Sequence, residues 1–344
     1  MPDASEIIPV LITFPLEDEI VNALRKVSDR LEILVYPVRD PRDVPDDVWN
    51  RVMVLYTQNV VPEPAQAPRL RWVHAHSAGV EHLLSQSLLQ SGGVLLTSSS
   101  GIHATIMMEY VLMMMLAFGH RLLTMIEYKD STTWPAENRY RTFLPQPLRG
   151  STVGIVGYGS IGREIAHVAH TLGMEVLAVK RDVRHPADPD SYNLPGAGDP
   201  EGIYFHRLYP PEALISMVKE CDYVVLTVPL TESTRAMVNT QVFEAMKSSA
   251  YLINISRGGV VDETALLHAL QTGQIAGAAM DVFESEPLPE DSPLWKLPNL
   301  IISPHIAGNM PDYNEKAAAL FIDNLKRYIA RKDLLNLVDH AQGY

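Results

Sequence analysis

Gly154-Ile-Val-Gly157-Tyr-Gly159-Ser-Ile-Gly162 stands between an apolar run, Thr152–Val156, and an amphipathic stretch whose inward positions are Ile161, Ile165, Val168 and Leu172 and which stops at Gly173. A second apolar run, Glu175–Val179, follows it. Strand, glycine turn, helix, strand is the βαβ setting that gives a GxGxxG string meaning, since the string alone is weak evidence. In that setting Gly157 makes the tight turn, Gly159 lets backbone approach a pyrophosphate, and Gly162 lets helix and strand pack closely. The anion then sits at the helix N-terminus, against unpaired N–H groups and the positive end of the helix dipole. Tyr158, Ser160 and Ile161 complete the expected cradle.

Outward from this unit the pattern continues as Tyr223–Val228, Tyr251–Ile255, Ile275–Val282 and Leu300–Ser303, with helical stretches such as Asp262–Gln271 between them. Nearly continuous apolar strands alternating with helices predict a doubly wound parallel sheet covered on both faces. The opening segment repeats the alternation with Ile8–Phe14, Ile20–Leu31, Ile33–Tyr36, Val52–Tyr56 and Trp72–Ala75, separated by proline-rich loops at Pro37–Pro45 and Pro62–Pro68. It reads as a smaller α/β domain. Ile106–Phe118 is apolar almost all the way round, which places it between domains or at a subunit interface, with its methionines as packing. The amphipathic tail Tyr313–Ala330 is expected to fold back onto the first domain.

The 344 residues contain 28 Lys+Arg against 41 Asp+Glu, a net charge of −13, which argues against a surface built for nucleic acid or anionic membranes. The most apolar stretch, Tyr110–Phe118, falls far short of the roughly 20 residues of a membrane span. One cysteine, Cys221, permits no intrachain disulfide, and the expected location is the cytoplasm. The histidines show no HxxxH or HExxH spacing, so no metal is expected.

The end of the second strand of the βαβ unit reports the cofactor. An NAD site has an acidic residue there to accept from the ribose hydroxyls, whereas this chain has Lys180 and Arg181, with Arg184 close behind. An ammonium and a guanidinium suit a 2′-phosphate, so NADP(H) is preferred and NAD(H) remains possible. A solvated basic turn is the bland alternative, since Asp182 can orient either cation.

Three later strand ends carry chemistry. Tyr251-Leu-Ile-Asn-Ile-Ser-Arg257 puts a cation at the carboxyl edge of the sheet, Ala276-Gly-Ala-Ala-Met-Asp281-Val-Phe-Glu-Ser-Glu286-Pro brings carboxylates, and Leu300-Ile-Ile-Ser-Pro-His305 ends in an imidazole. Singly, each has an ordinary explanation as an ion pair, a turn residue or a solvated acid. Converging beside a dinucleotide cradle, they favour catalysis. Histidine donates a proton near neutral pH, a carboxylate favours its charged form, and a guanidinium clamps carboxylate or carbonyl oxygens.

With Ser77-Ala-Gly79-Val-Glu81-His82, Thr227-Val-Pro-Leu-Thr231 and Ala307-Gly308, these segments resemble the D-2-hydroxyacid dehydrogenase family over most of the chain. The resemblance implies a Rossmann-type domain, residues 104–304, inserted into a flavodoxin-like substrate domain, residues 1–103 plus 305–344. It implies Arg257, Glu286 and His305 as catalytic residues and Asp281 on the nicotinamide carboxamide. Backbone around Ala78, Gly79 and Val80 would receive the substrate carboxylate, together with Arg257 and His305. Cofactor contacts would come also from Thr227, Val228, Pro229, Ile255, Ser256 and Gly308. A homodimer with Ile106–Phe118 near the contact is implied as well. The chain departs from the family at Thr227, where a histidine is frequent, at Lys180, where an acid is frequent, and in the long segment Val183–His206, which is expected to close over the 2′-phosphate region. The resulting expectation is an NADPH-dependent reductase of a glyoxylate- or hydroxypyruvate-type or bulkier 2-oxo acid to the D-2-hydroxy acid. A nucleotide-binding corepressor-like protein is the alternative, against which the persistence of all three chemical residues counts.

Overall fold

The computed structural model describes residues 6–90, 92–188 and 191–339. The chain divides into two units, one of Met1–Ile102, Asp190–Tyr192 and Met310–Tyr344, the other of His103–Pro189 and Asn193–Asn309.

In the first unit β1 (Ile8–Ile12), β2 (Leu31–Val35), β3 (Val54–Thr57), β4 (Trp72–Ala75) and β5 (Leu95–Thr97) form one parallel sheet in the order β2-β1-β3-β4-β5. Side chains alternate across a strand, so Val54 and Tyr56 enter one core while Leu55 enters the other. Burial on both faces explains why these strands are unbroken apolar runs. The Tyr313–Ile329 helix covers one face, bringing Phe321 to 4.3 Å from the Tyr56 ring and 5.3 Å from Trp72. The last long helix of the chain is therefore part of the unit built by its first hundred residues.

The second unit holds β6 (Thr152–Val156), β7 (Glu175–Val179), β8 (Arg207–Tyr209), β9 (Tyr223–Leu226), β10 (Tyr251–Asn254), β11 (Gly277–Met280) and β12 (Leu300–Ile302), all parallel, in the order β12-β11-β10-β9-β6-β7-β8. The order reverses between β6 and β9, and such a switch point opens a crevice at the carboxyl ends of the strands. The Ser160–Thr171 helix lies on one face with the Ala104–Gly119 helix beside it, and Glu263–Gln271 lies on the other. Asp262 caps this last helix by accepting from the Ala265 N–H at 3.0 Å.

The Ala104–Gly119 helix packs into the core of the second unit, but its all-round apolarity does not bring all-round burial. Met113 and Leu116 are exposed, and so are Leu122, Met125 and Ile126 on the Leu122–Asp130 helix that follows. The sequence reading did not anticipate that helix, nor the short strands β5 and β8. Among the described residues no single helix is long and apolar enough to cross a membrane.

Candidate active site

The glycines of the cradle are required for three different reasons. Gly157 has φ +109°, and a Cβ there would come within 2.9 Å of Thr227 Oγ1 and Val228 Cγ1. A Cβ on Gly162 would lie 2.1 Å from the Gly157 carbonyl oxygen, so only hydrogen fits between helix and turn. Gly159 is extended and a Cβ there would meet nothing within 4 Å, which leaves its outer side open for a ligand. As N-cap of the Ser160–Thr171 helix, Gly159 supplies no side-chain acceptor to the first N–H groups. An open backbone surface beside uncapped N–H groups fits a dinucleotide pyrophosphate. Tyr158 can contribute only backbone to this surface, because its side chain is buried and its hydroxyl donates to Asp199 at 2.6 Å.

Across the switch point the Thr227 hydroxyl donates to the Gly157 carbonyl at 2.7 Å and ties the end of β9 to the cradle turn. Val228 and Pro229 continue along the same edge, and the Pro229 carbonyl accepts from Thr234 at 2.6 Å. Ile255 is core, and Ser256 is buried with its hydroxyl on Asn254 at 2.7 Å. At the end of β7 the Lys180 ammonium is half-buried and donates to the His185 carbonyl. Arg181 and Arg184 are exposed beside it. The Asp182 carboxylate accepts from His185 Nδ1 at 2.6 Å and from the Arg184 backbone N–H at 3.0 Å.

Arg257, Asp281 and His305 follow the carboxyl ends of the neighbouring strands β10, β11 and β12. The β10 and β11 loops touch so closely that a Cβ on Gly258 would lie 1.8 Å from the Phe283 carbonyl carbon. Phe283 in turn donates its N–H to Glu286 Oε1 at 2.9 Å. Glu286 Oε2 receives His305 Nδ1 at 2.7 Å. Burial raises the Glu286 pKa, but hydrogen bonds from His305 and Phe283 and the nearby charges of His305 and Arg257 outweigh it, and the carboxyl ends below its ordinary value. The imidazole, carboxylate and guanidinium therefore act on one another although 48 residues separate the first from the last.

His305 takes φ 57°, a left-handed conformation that a non-glycine residue adopts only when its surroundings enforce it. Asp281 does so. Its backbone carbonyl accepts from His305 N–H at 2.8 Å, and its buried carboxylate accepts from Ser303 Oγ at 2.6 Å, Ile306 N–H at 2.9 Å and Ala307 N–H at 2.8 Å. Three charge-assisted bonds to one carboxylate make a rigid staple. Gly308 follows this loop, 3.1 Å from the His103 ring at its would-be Cβ. The Ala78–Val80 turn, expected from the sequence to receive a substrate carboxylate, lies in the first unit after β4, closed by the Ser77 hydroxyl on the Gly79 carbonyl at 2.7 Å, with Val80 buried. Among the described residues no group of three or more His, Cys, Asp or Glu side chains could hold a metal ion.

The sequence reading missed Arg163 and Glu164, both buried directly after the cradle, and Asp199 within the long loop. The available signal was a pair of charges on the first turn of a helix packed against a sheet.

Comparison with known proteins follows the same lines. The D-isomer specific 2-hydroxyacid dehydrogenase NAD binding domain matches residues 112–307. A glyoxylate reductase of Thermococcus kodakarensis is 30% identical over 315 residues, covering 88% of this chain and 89% of that protein. A D-isomer specific 2-hydroxyacid dehydrogenase of Xanthobacter autotrophicus Py2, solved with NADPH and MES, superposes with TM-score 0.77 at 27% identity, covering 99% and 100% of the two chains. An NADPH-dependent glyoxylate/hydroxypyruvate reductase of Sinorhizobium meliloti, solved with NADP and sulfate, gives TM-score 0.75 at 25% identity over 98% and 100%. A glycine cradle at the switch point, a histidine–glutamate pair on the same edge and these likenesses converge: this chain belongs to the D-isomer specific 2-hydroxyacid dehydrogenase family and is a glyoxylate/hydroxypyruvate reductase-like 2-hydroxyacid dehydrogenase.

Proposed function

We propose that the enzyme reduces a small 2-oxo acid of the glyoxylate or hydroxypyruvate class to the D-2-hydroxy acid, with NADPH preferred over NADH. The observation that carries this reading is the 2.7 Å contact of His305 with Glu286, in the field of Arg257, on the sheet edge that also holds the cradle. The bound nicotinamide supplies the hydride. His305 holds the proton: with Nδ1 committed to Glu286, Nε2 is the nitrogen that faces the substrate oxygen, donating as negative charge grows there. Glu286 pairs with the imidazole at Nδ1 and fixes the ring, while Arg257 clamps carboxylate and carbonyl oxygens and polarises the carbonyl. Asp281 keeps its remaining lone pair for the nicotinamide carboxamide.

NADPH preference rests on Lys180, Arg181 and Arg184 where NAD sites carry an acid, and is in line with the NADPH and NADP complexes of the two solved relatives. Purified enzyme tested with NADPH and NADH against 2-oxo acids of increasing bulk should show higher kcat/KM with NADPH and with the smallest acids. Preference for NADH, or no turnover with any 2-oxo acid, overturns the assignment.

The exposed Met113, Leu116, Leu122, Met125 and Ile126 on two consecutive helices form the face through which a second copy docks to make a homodimer. Sedimentation should give a dimer that Met125→Asp with Ile126→Asp converts to monomer, and a wild-type monomer would refute this. Buried Cys221, its thiol pushed up to about 12 by burial, is inert and fits the reducing cytoplasm.

A further inference from the structure

Among the described residues of the Val183–His206 segment none is in a helix or strand, yet both of its limbs are held by the cradle helix. Arg163, one turn into that helix, is 1% exposed. Its guanidinium donates to the carbonyl of Pro186 on the outgoing limb and to the carbonyl of Asp199 on the returning limb. It lies 4.7 Å from the centroid of the Tyr158 ring and faces the Asp188 carboxylate at 4.0 Å. Asp199 is buried as well, accepting from the Tyr158 hydroxyl at 2.6 Å and from the N–H groups of Ile203 and Tyr204 at 2.9 and 3.0 Å. Glu164, the next residue on the helix, accepts from the Gly198 N–H. The two limbs also press together: a Cβ on Gly202 would lie 2.7 Å from the Pro186 carbonyl carbon.

Burying a guanidinium is expensive unless its partners are well placed, and ion networks of this kind hold a specific conformation better than they add stability. The residue before Pro186 is His185, whose carbonyl accepts from the Lys180 ammonium. The Arg163 guanidinium thus fixes the Pro186 carbonyl, one peptide on from the carbonyl that holds Lys180. The two cations also act on each other: burial and then the Arg163 charge lower the Lys180 pKa, against Asp188 and Asp182. Like charges held close are relieved by an anionic ligand.

We propose that Arg163, supported by Asp199 and Tyr158, is a positioning residue for cofactor selection: it holds the two limbs of the loop, 185–188 and 198–204, as a preformed wall that presents Lys180 to the ribose 2′-phosphate. This rests on the NADPH reading above and assigns it residues outside the glycine motif. Because the wall is ordered before binding, little ordering entropy is lost when the phosphate arrives.

The test uses full-length wild type, Arg163→Met and Asp199→Asn, with 2′,5′-ADP and 5′-ADP as calorimetric probes and limited proteolysis of the loop as a second readout. Wild type should bind 2′,5′-ADP more tightly than 5′-ADP. Each variant should lose about tenfold in 2′,5′-ADP affinity, about 1.4 kcal/mol, keep 5′-ADP within about twofold, and become cleavable within 183–206. A loosened loop with unchanged 2′,5′-ADP affinity overturns the proposal, and so does equal weakening of both probes, which marks Arg163 as general scaffolding. Should Arg163→Met not fold, Asp199→Asn, which leaves both carbonyl acceptors of Arg163 in place, decides. Wild type showing no preference between the probes sinks the NADPH reading itself, whatever the variants do.

Discussion

Alanine at two glycines of one motif should have opposite consequences. At Gly162 the new Cβ would start 2.1 Å from the Gly157 carbonyl oxygen, so turn and helix must part by about 1 Å to reach contact distance. Forcing a methyl into a packed interior costs about 1–3 kcal/mol, which for a domain of this size lowers Tm by roughly 3–10 °C. At Gly159 the same methyl meets nothing within 4 Å, and the backbone is already extended. The poorer N-cap is offset by a less flexible unfolded chain, about 0.4–1 kcal/mol, so stability should stay within about 1 kcal/mol of wild type. The open space at Gly159 is where a pyrophosphate approaches. A methyl there breaks at least one charge-assisted backbone hydrogen bond, about 1.5–3 kcal/mol, and weakens NADPH at least about tenfold. Thermal melts and fluorescence titration with NADPH, without substrate, separate the two. Gly159→Ala binding NADPH within twofold of wild type, or Gly162→Ala melting with wild type, refutes the reasoning.

Three further perturbations address the catalytic edge. His305→Ala should lower kcat by about 10²–10⁴-fold, the usual share of a positioned acid, with NADPH affinity nearly unchanged; equal losses in both would remove the acid role. Glu286→Gln has a pH signature, since the Glu286 carboxyl lies below its ordinary value in the folded protein. Its contribution to stability is present above an unfolded pKa of about 4.3 and is lost as pH falls through the folded value, so urea midpoints of wild type and Glu286→Gln should converge between pH 7 and pH 3. Asp281→Asn leaves one acceptor oxygen for Ser303, Ile306 and Ala307 and turns an amide toward at least one N–H. Calorimetry should show a loss of about 2–3 kcal/mol, and an unchanged Tm would mean that the staple does not hold the His305 loop.

Much of the second unit was legible because its strands are buried on both faces. Thr152–Val156 and Glu175–Val179 were placed to the residue, and the glycine spacing located the switch-point turn between them. The three-residue strands Leu95–Thr97 and Arg207–Tyr209 were not legible, since short edge segments carry too few residues to show a period and are ordered by the neighbour they pair with. For the same reason the apolar Ala104–Gly119 helix gave no indication of which side stays uncovered: composition records how apolar a helix is, whereas packing decides which face it buries.

By itself the sequence determined the chemistry available at each strand end, because a parallel strand delivers the residue that follows it to the carboxyl edge whatever else the fold does. Only the tertiary structure decided the partnerships: that Glu286 meets His305, that Asp281 carries the backbone that holds His305 at positive φ, and that Arg163 reaches across to Pro186 and Asp199. These contacts link positions 19 to 36 residues apart on different loops and helices. Local propensity acts over a turn or two of chain, and such pairs form only when loop-closure entropy has been offset by the packing of the whole sheet.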